Sequence, residues 1–159
     1  MTKRKRVVVS VALVAGVIAA TVGGAYAQEQ RETPGERAVD YRQSLMTVLA
    51  GNFGPVFAMA TGRAPFNAAV VTKDAKRVAF IATMAGDAFP ANSNGAGKTK
   101  AKPNIWTDMA GFQKDMQALV DKTAALQMAA DSGDMGQIKS AANAVGGACK
   151  DCHDDYRAK

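Results

Sequence analysis

The chain has 159 residues, 48% of them hydrophobic and 21% charged, with two cysteines, one histidine and a formal net charge of +6. That length and apolar fraction exclude a disordered chain and leave room for one domain, while two cysteines exclude a disulfide-dense scaffold. The basic excess does not point to nucleic acid or anionic lipid: all 14 acidic residues lie after position 27, whereas four of the 20 basic ones, Lys3, Arg4, Lys5 and Arg6, lie before it.

Those four residues open a leader. An apolar stretch follows from Val7 to Thr21, and Ala25-Tyr26-Ala27 supplies the small-x-small site at which signal peptidases cut. Residues 1–27 are predicted to be a removed signal peptide, and residues 28–159 a single mature domain in a bacterial periplasm, free of the membrane. A retained anchor is the competing reading, because the apolar run approaches bilayer length, although Gly23 and Gly24 interrupt it at the cleavage site.

Four helices are predicted after the leader. The first, residues 34–58, opens on Thr33 as cap, Pro34 in the first turn and Glu36 completing a capping box. Val39, Leu45, Leu49, Phe53 and Val56 recur at helical spacing, and Gly51, Gly54 and Pro55 predict a kink or an early end near Phe53. The second, residues 66–85, carries Val70, Val71, Val78, Phe80, Ile81 and Met84 on its apolar side. Residues 86–103 change to Gly, Pro, Asn, Ser and Lys and read as a crossover loop without elements of its own. A third helix is expected over 104–130. A fourth, over 134–157, has Asp134 as cap and Gln137 placed for a reciprocal bond. Met59, Met84, Met109, Met116, Met128 and Met135 read as core filler. The fold class is all-α, an antiparallel four-helix bundle.

The chemistry is concentrated at the end of the last helix, in Cys149-Lys150-Asp151-Cys152-His153. Residues three and four apart share a helical face, so both thiols and the imidazole are presented within one turn. This is the spacing of c-type haem attachment, in which two thioethers fix the ring and the histidine reaches the iron. A disulfide closing so short a loop would constrain little. Zinc would ask for a fourth ligand beyond two cysteines and one histidine, and a redox dithiol belongs at a helix start after a strand. One haem c per chain follows, bonded to Cys149 and Cys152. Because the chain has a single histidine, bis-histidine ligation is excluded, and the sixth position is a methionine, a weaker group or empty.

Three stretches together, Tyr41-Arg42-Gln43-Ser44-Leu45-Met46, Lys102-Pro103-Asn104-Ile105-Trp106 and Cys149-Lys150-Asp151-Cys152-His153-Asp154-Asp155-Tyr156-Arg157, resemble the cytochrome c' family over nearly the whole mature chain. The resemblance implies that His153 is the proximal ligand to a high-spin, five-coordinate iron, that Arg42 meets a haem propionate, and that Met46 covers the open face. It also implies a basic residue, Arg157, beside the proximal histidine, with Gln43 near the cofactor, and a homodimer formed through the first two helices. Tyr156 reads as packing beside the haem rather than as an acid catalyst.

Two functions follow from the sixth position. An open iron beneath an apolar lid of Met46, Leu49 and Phe53 would take small gases such as nitric oxide and carbon monoxide. Single-electron exchange with an unidentified periplasmic partner needs only an accessible haem edge, for which Lys98, Lys100, Lys102 and Lys150 form a candidate rim. If Met46 itself ligates the iron, the protein is a low-spin electron carrier. A peroxidase is disfavoured because no distal histidine exists to move protons, so the chain is read as a non-enzyme, with nitric oxide turnover left open.

Overall fold

A computed structural model of the chain describes residues 32–159, so the expected leader lies outside the described residues. Five α-helices occur there: α1 (Pro34–Ala60), α2 (Ala68–Ala85), the single turn α3 (Asn104–Thr107), α4 (Met109–Ser132) and α5 (Met135–Tyr156). The four long ones form a closed ring of neighbours in which α1 packs on α2 and α5, and α4 also packs on α2 and α5. The fold is therefore an all-α four-helix bundle. The described residues contain no strand beyond one isolated antiparallel bridge, Ala101 with Arg157.

Each of the four long helices starts where side-chain chemistry offers a cap. Thr33 Oγ1 accepts from the Glu36 amide at 3.2 Å and the Glu36 carboxylate accepts from the Thr33 amide at 2.8 Å, a complete capping box. Of the kink or early end expected near Phe53, the early end does not occur: α1 runs through Pro55 to Ala60, two residues beyond the expected 58. Gly51 and Pro55 lie on the exposed side, where water can serve the Gly51 carbonyl that the proline ring leaves without a donor. Helix α2 begins at Ala68 instead of Phe66, because Asn67 accepts from the Val70 amide and so fixes the cap. At α5, Asp134 accepts from the Gln137 amide as expected, but the Asp134 amide donates to Ser132 Oγ rather than to the Gln137 side chain.

The expected third helix, 104–130, is broken at Asp108, which adopts φ −124° and ψ 51° and caps α4 through the Gly111 amide. The connecting segment is also more ordered than its composition suggested, with 3-10 turns at Gly86–Ala88 and Ala91–Ser93. It lies close against α1: a Cβ on Gly35 would stand 2.2 Å from the Asn92 carbonyl oxygen, so only glycine fits there.

Val56, Val71, Leu126, Ala142 and Val145 lie at the centre of the bundle. Met59 and Met116 join this core. Phe80, Met128 and Met135, which helical spacing placed inward, are 67%, 67% and 42% exposed. Periodicity marks a stripe, and these three sit at its edge with no helix opposite.

Candidate functional site

A cavity of about 770 Å³ opens at the end of the bundle where α1, the 86–103 segment, α4 and the C-terminus of α5 meet. Its size falls in the range of small-molecule and cofactor sites. Met46 and Ala50 of α1, Phe89, Ile105, Phe112 and Met116 give it apolar walls. Cys152, His153, Tyr156 and Arg157 enter it from α5 and its end, while Arg42, Lys98 and Lys100 bring positive charge.

Cys149 is half-buried against the core, one turn before Cys152 at the cavity wall, and both thiols are free. Burial raises the pKa of both. Cys152 is pushed up to about 11, first by burial and then by Asp115, Cys149 and Asp155. Thiols held protonated at neutral pH are poor disulfide-exchange nucleophiles, opposite to a redox dithiol whose pKa is lowered. The His153 pKa moves the other way, lowered by partial burial and then by Arg157. A neutral imidazole is the form that ligates a metal. Among the described residues no group of three or more His, Cys, Asp or Glu converges on one point, so no protein cage for a bare ion competes for that imidazole.

Arg42 is almost fully buried at 3% exposure, and burial lowers its pKa. Its Nη1 donates to Ser93 Oγ at 2.9 Å and its Nη2 to Thr99 Oγ1 at 3.0 Å. The guanidinium also lies 5.0 Å from the Phe89 ring centre and 5.7 Å from that of Trp106. Next to it, Gln43 Nε2 donates to the Lys98 carbonyl at 2.7 Å. Two adjacent residues of α1 therefore clamp the connecting segment into a strap over the cavity. The strap's far end is held by the Lys102 amide on the Tyr156 carbonyl and by the Ala158 amide on the Lys100 carbonyl, both close to the Ala101–Arg157 bridge.

The site residues expected from the sequence thus converge: Arg42, Gln43, Met46, Cys152, His153, Tyr156 and Arg157 all border the cavity, with Cys149 one turn away. Leu49 and Phe53, expected in the lid, do not border it. Leu49 is buried in the core and Phe53 stacks on Phe57, so Thr47 and Ala50 take their place beside Met46. Lys102 and Lys150 also leave the rim. The Lys102 ammonium donates to the Asp154 and Asp155 carbonyls at the end of α5, and Lys150 pairs with Asp154. Sequence reasoning missed Ser93, Thr99 and Phe89, whose segment carries no periodic signal, and Asp108, which receives the Tyr156 hydroxyl at 2.7 Å.

The donor set and the cavity fit a covalently attached haem. Two thiols three residues apart and an adjacent neutral imidazole can hold ring and iron, apolar walls suit the macrocycle, and the cationic edge suits two carboxylates.

The family model described as Cytochrome C' matches residues 37–157. A cytochrome c' of Rubrivivax gelatinosus is 44% identical over 135 residues, covering 82% of this chain and all of that one. The crystal structure of cytochrome c' from the same organism superposes with a TM-score of 0.76 at 37% identity, covering 80% of this chain and 100% of that one. A nitric oxide complex of a cytochrome c prime variant from Alcaligenes xylosoxidans superposes with a TM-score of 0.73 at 35% identity, over 80% of this chain and 99% of that one.

Proposed function

The chain belongs to the cytochrome c' family, whose members carry haem c covalently, and on that footing we propose that it is an exported, periplasmic gas-binding cytochrome with a five-coordinate iron. The observation that carries the reading is the single cavity shared by His153 on one side and Met46 on α1, walled by apolar side chains. Cys149 and Cys152 would bear the two thioethers and His153 would be the proximal ligand. Met46, which lines the same cavity as His153, would cover the iron without bonding to it and leave room for a small neutral gas rather than a larger ligand. Nitric oxide and carbon monoxide suit such a pocket because neither needs a hydrogen-bond donor. Arg42 and Arg157 supply charge toward the propionates. Gln43 and Tyr156 hold the cavity's walls, and neither acts as an acid catalyst.

The role is binding together with one-electron exchange with a periplasmic partner, rather than turnover. A homodimer through α1 and α2 is part of the proposal, supported by Tyr41, Val48 and Phe80, which leave 49%, 50% and 67% of their surface exposed on those helices.

Optical and electron paramagnetic resonance spectra of the ferric and ferrous protein, followed by addition of carbon monoxide, test the reading. High-spin spectra and gas uptake are expected. A low-spin spectrum with a methionine-to-iron band that resists carbon monoxide would make Met46 the sixth ligand and the protein a plain electron carrier.

A further inference from the structure

His153 lies in the last turn of α5, which ends at Tyr156. Last turns fray by default, because their carbonyls have no helical partners and few contacts hold them. An iron ligand placed there needs an external anchor, since a metal site a few tenths of an ångström loose is a different site. The anchor is present. Tyr156 is buried, its hydroxyl donates to Asp108 Oδ2 at 2.7 Å, and its ring meets Phe112 edge-on at 5.3 Å and 88°. Its carbonyl accepts from the Lys102 amide at 2.9 Å.

The receiving end is equally specific. Asp108 interrupts what would be one continuous helix, and its other carboxylate oxygen takes the Gly111 amide at 3.2 Å. The bond closes over a glycine: a Cβ on Gly111 would stand 2.3 Å from Asp108 Oδ2 and 2.6 Å from the Tyr156 hydroxyl. A helix break, a two-ended carboxylate and a missing side chain meet at one hydrogen bond. Capping α4 accounts for the break alone, and a serine would do that as well.

We infer that Asp108 is a positioning residue for the iron ligand: through the Tyr156 hydroxyl it fixes the last turn of α5 and hence the height and tilt of the His153 imidazole. The inference rests on His153 being the proximal ligand. Asp108 does not border the cavity, and acts only through the turn. Its effect on function is to hold the strength of the iron–histidine bond, on which the iron's response to a sixth ligand depends.

The test is a double-variant cycle on the haem-loaded protein, with Tyr156→Phe, Asp108→Ser and the pair together. Asp108→Ser keeps a capping side chain but is too short for the tyrosine, and Tyr156→Phe keeps the ring, so each variant removes the bond and little else. The readouts are the iron–histidine stretching band of the ferrous protein in resonance Raman spectra and the exchange rate of the Arg157 amide, which donates to the His153 carbonyl at 3.2 Å. The expected result is a shift of the band and faster Arg157 exchange in each single variant, with the pair no different from either one. A band unmoved in both single variants, or shifts that add in the pair, would overturn the inference even where melting temperatures fall. Absence of the band in the unmodified ferrous protein would overturn the five-coordinate reading, and Arg157 exchange unmoved in both single variants would then overturn the positioning role separately.

Discussion

Replacing Arg42 with methionine removes the guanidinium while keeping a side chain of similar reach, and the expected loss can be worked from its surroundings. Two hydrogen bonds from a charged donor, to Ser93 and Thr99, contribute about 1.5 kcal/mol each at the low end for charged groups. The faces of Phe89 and Trp106 add about 1 kcal/mol together. Against these stands the desolvation of a buried cation that has no carboxylate partner among the described residues, which methionine relieves in part, an offset that shrinks where a haem propionate faces Arg42 as proposed, so the net figure is a lower bound for the haem-loaded protein. The acceptors are not orphaned, since Ser93 still donates to the Pro90 carbonyl and Thr99 still receives the Ala101 amide. The net expectation is a loss of about 2 kcal/mol, or a fall of roughly 6–10 °C in melting temperature for a domain of this size. Circular dichroism of the haem-loaded protein measures the melt, and amide exchange shows where protection is lost. Loss should concentrate in the strap, residues 89–101, rather than in α4. Arg42→Lys should recover little, because one ammonium cannot reproduce the forked pair of donors. A melting temperature equal to that of the unmodified protein, with strap amides exchanging at the original rate, would refute the clamp.

Three further outcomes are expected. Gly35→Ala forces a methyl group against the Asn92 carbonyl oxygen, a backbone atom with no freedom to turn aside, and should destabilise the fold by about 1–3 kcal/mol in thermal or denaturant melts. The Tyr156 pKa is raised to about 12, first by its bond to Asp108, so the fold favours the neutral phenol. That contribution is complete below the unfolded value of about 10 and is lost as pH rises through the folded one, so stability measured by denaturant should fall more steeply in this window than in Tyr156→Phe. Val48→Asp with Phe80→Asp places charge on the exposed apolar positions of α1 and α2; the unmodified protein is expected to sediment as a dimer and the double variant as a monomer, and a dimer unchanged in the variant would remove those helices from the interface.

Local chemistry carried most of the bundle. The Thr33–Glu36 box, the Asp134 cap and the spacing of Val39, Leu49 and Val56 are decided within a turn or two of chain, as is the presentation of Cys149, Cys152 and His153 on one face. Such features are written in the sequence because the interacting groups are neighbours along it. The surroundings of Arg42 and Tyr156 were beyond that reach. Arg42 meets its acceptor Ser93 across 51 positions and Tyr156 meets Asp108 across 48; Ser93 sits in a segment with no regular pattern to assign it a place, and Asp108 sits inside a helical pattern that gives no sign of the break there. The same division explains the misplaced apolar residues. Spacing put Phe80, Met128 and Met135 on the edge of a helical stripe, but whether an edge is covered depends on which helix lies opposite, and only the packed bundle decides that. The face of α5 that presents Cys149, Cys152 and His153 was thus determined by the sequence, whereas the walls that make a cavity beside it, and the bond from Tyr156 to Asp108 at its end, came into being only when segments remote in the chain were brought within hydrogen-bonding distance.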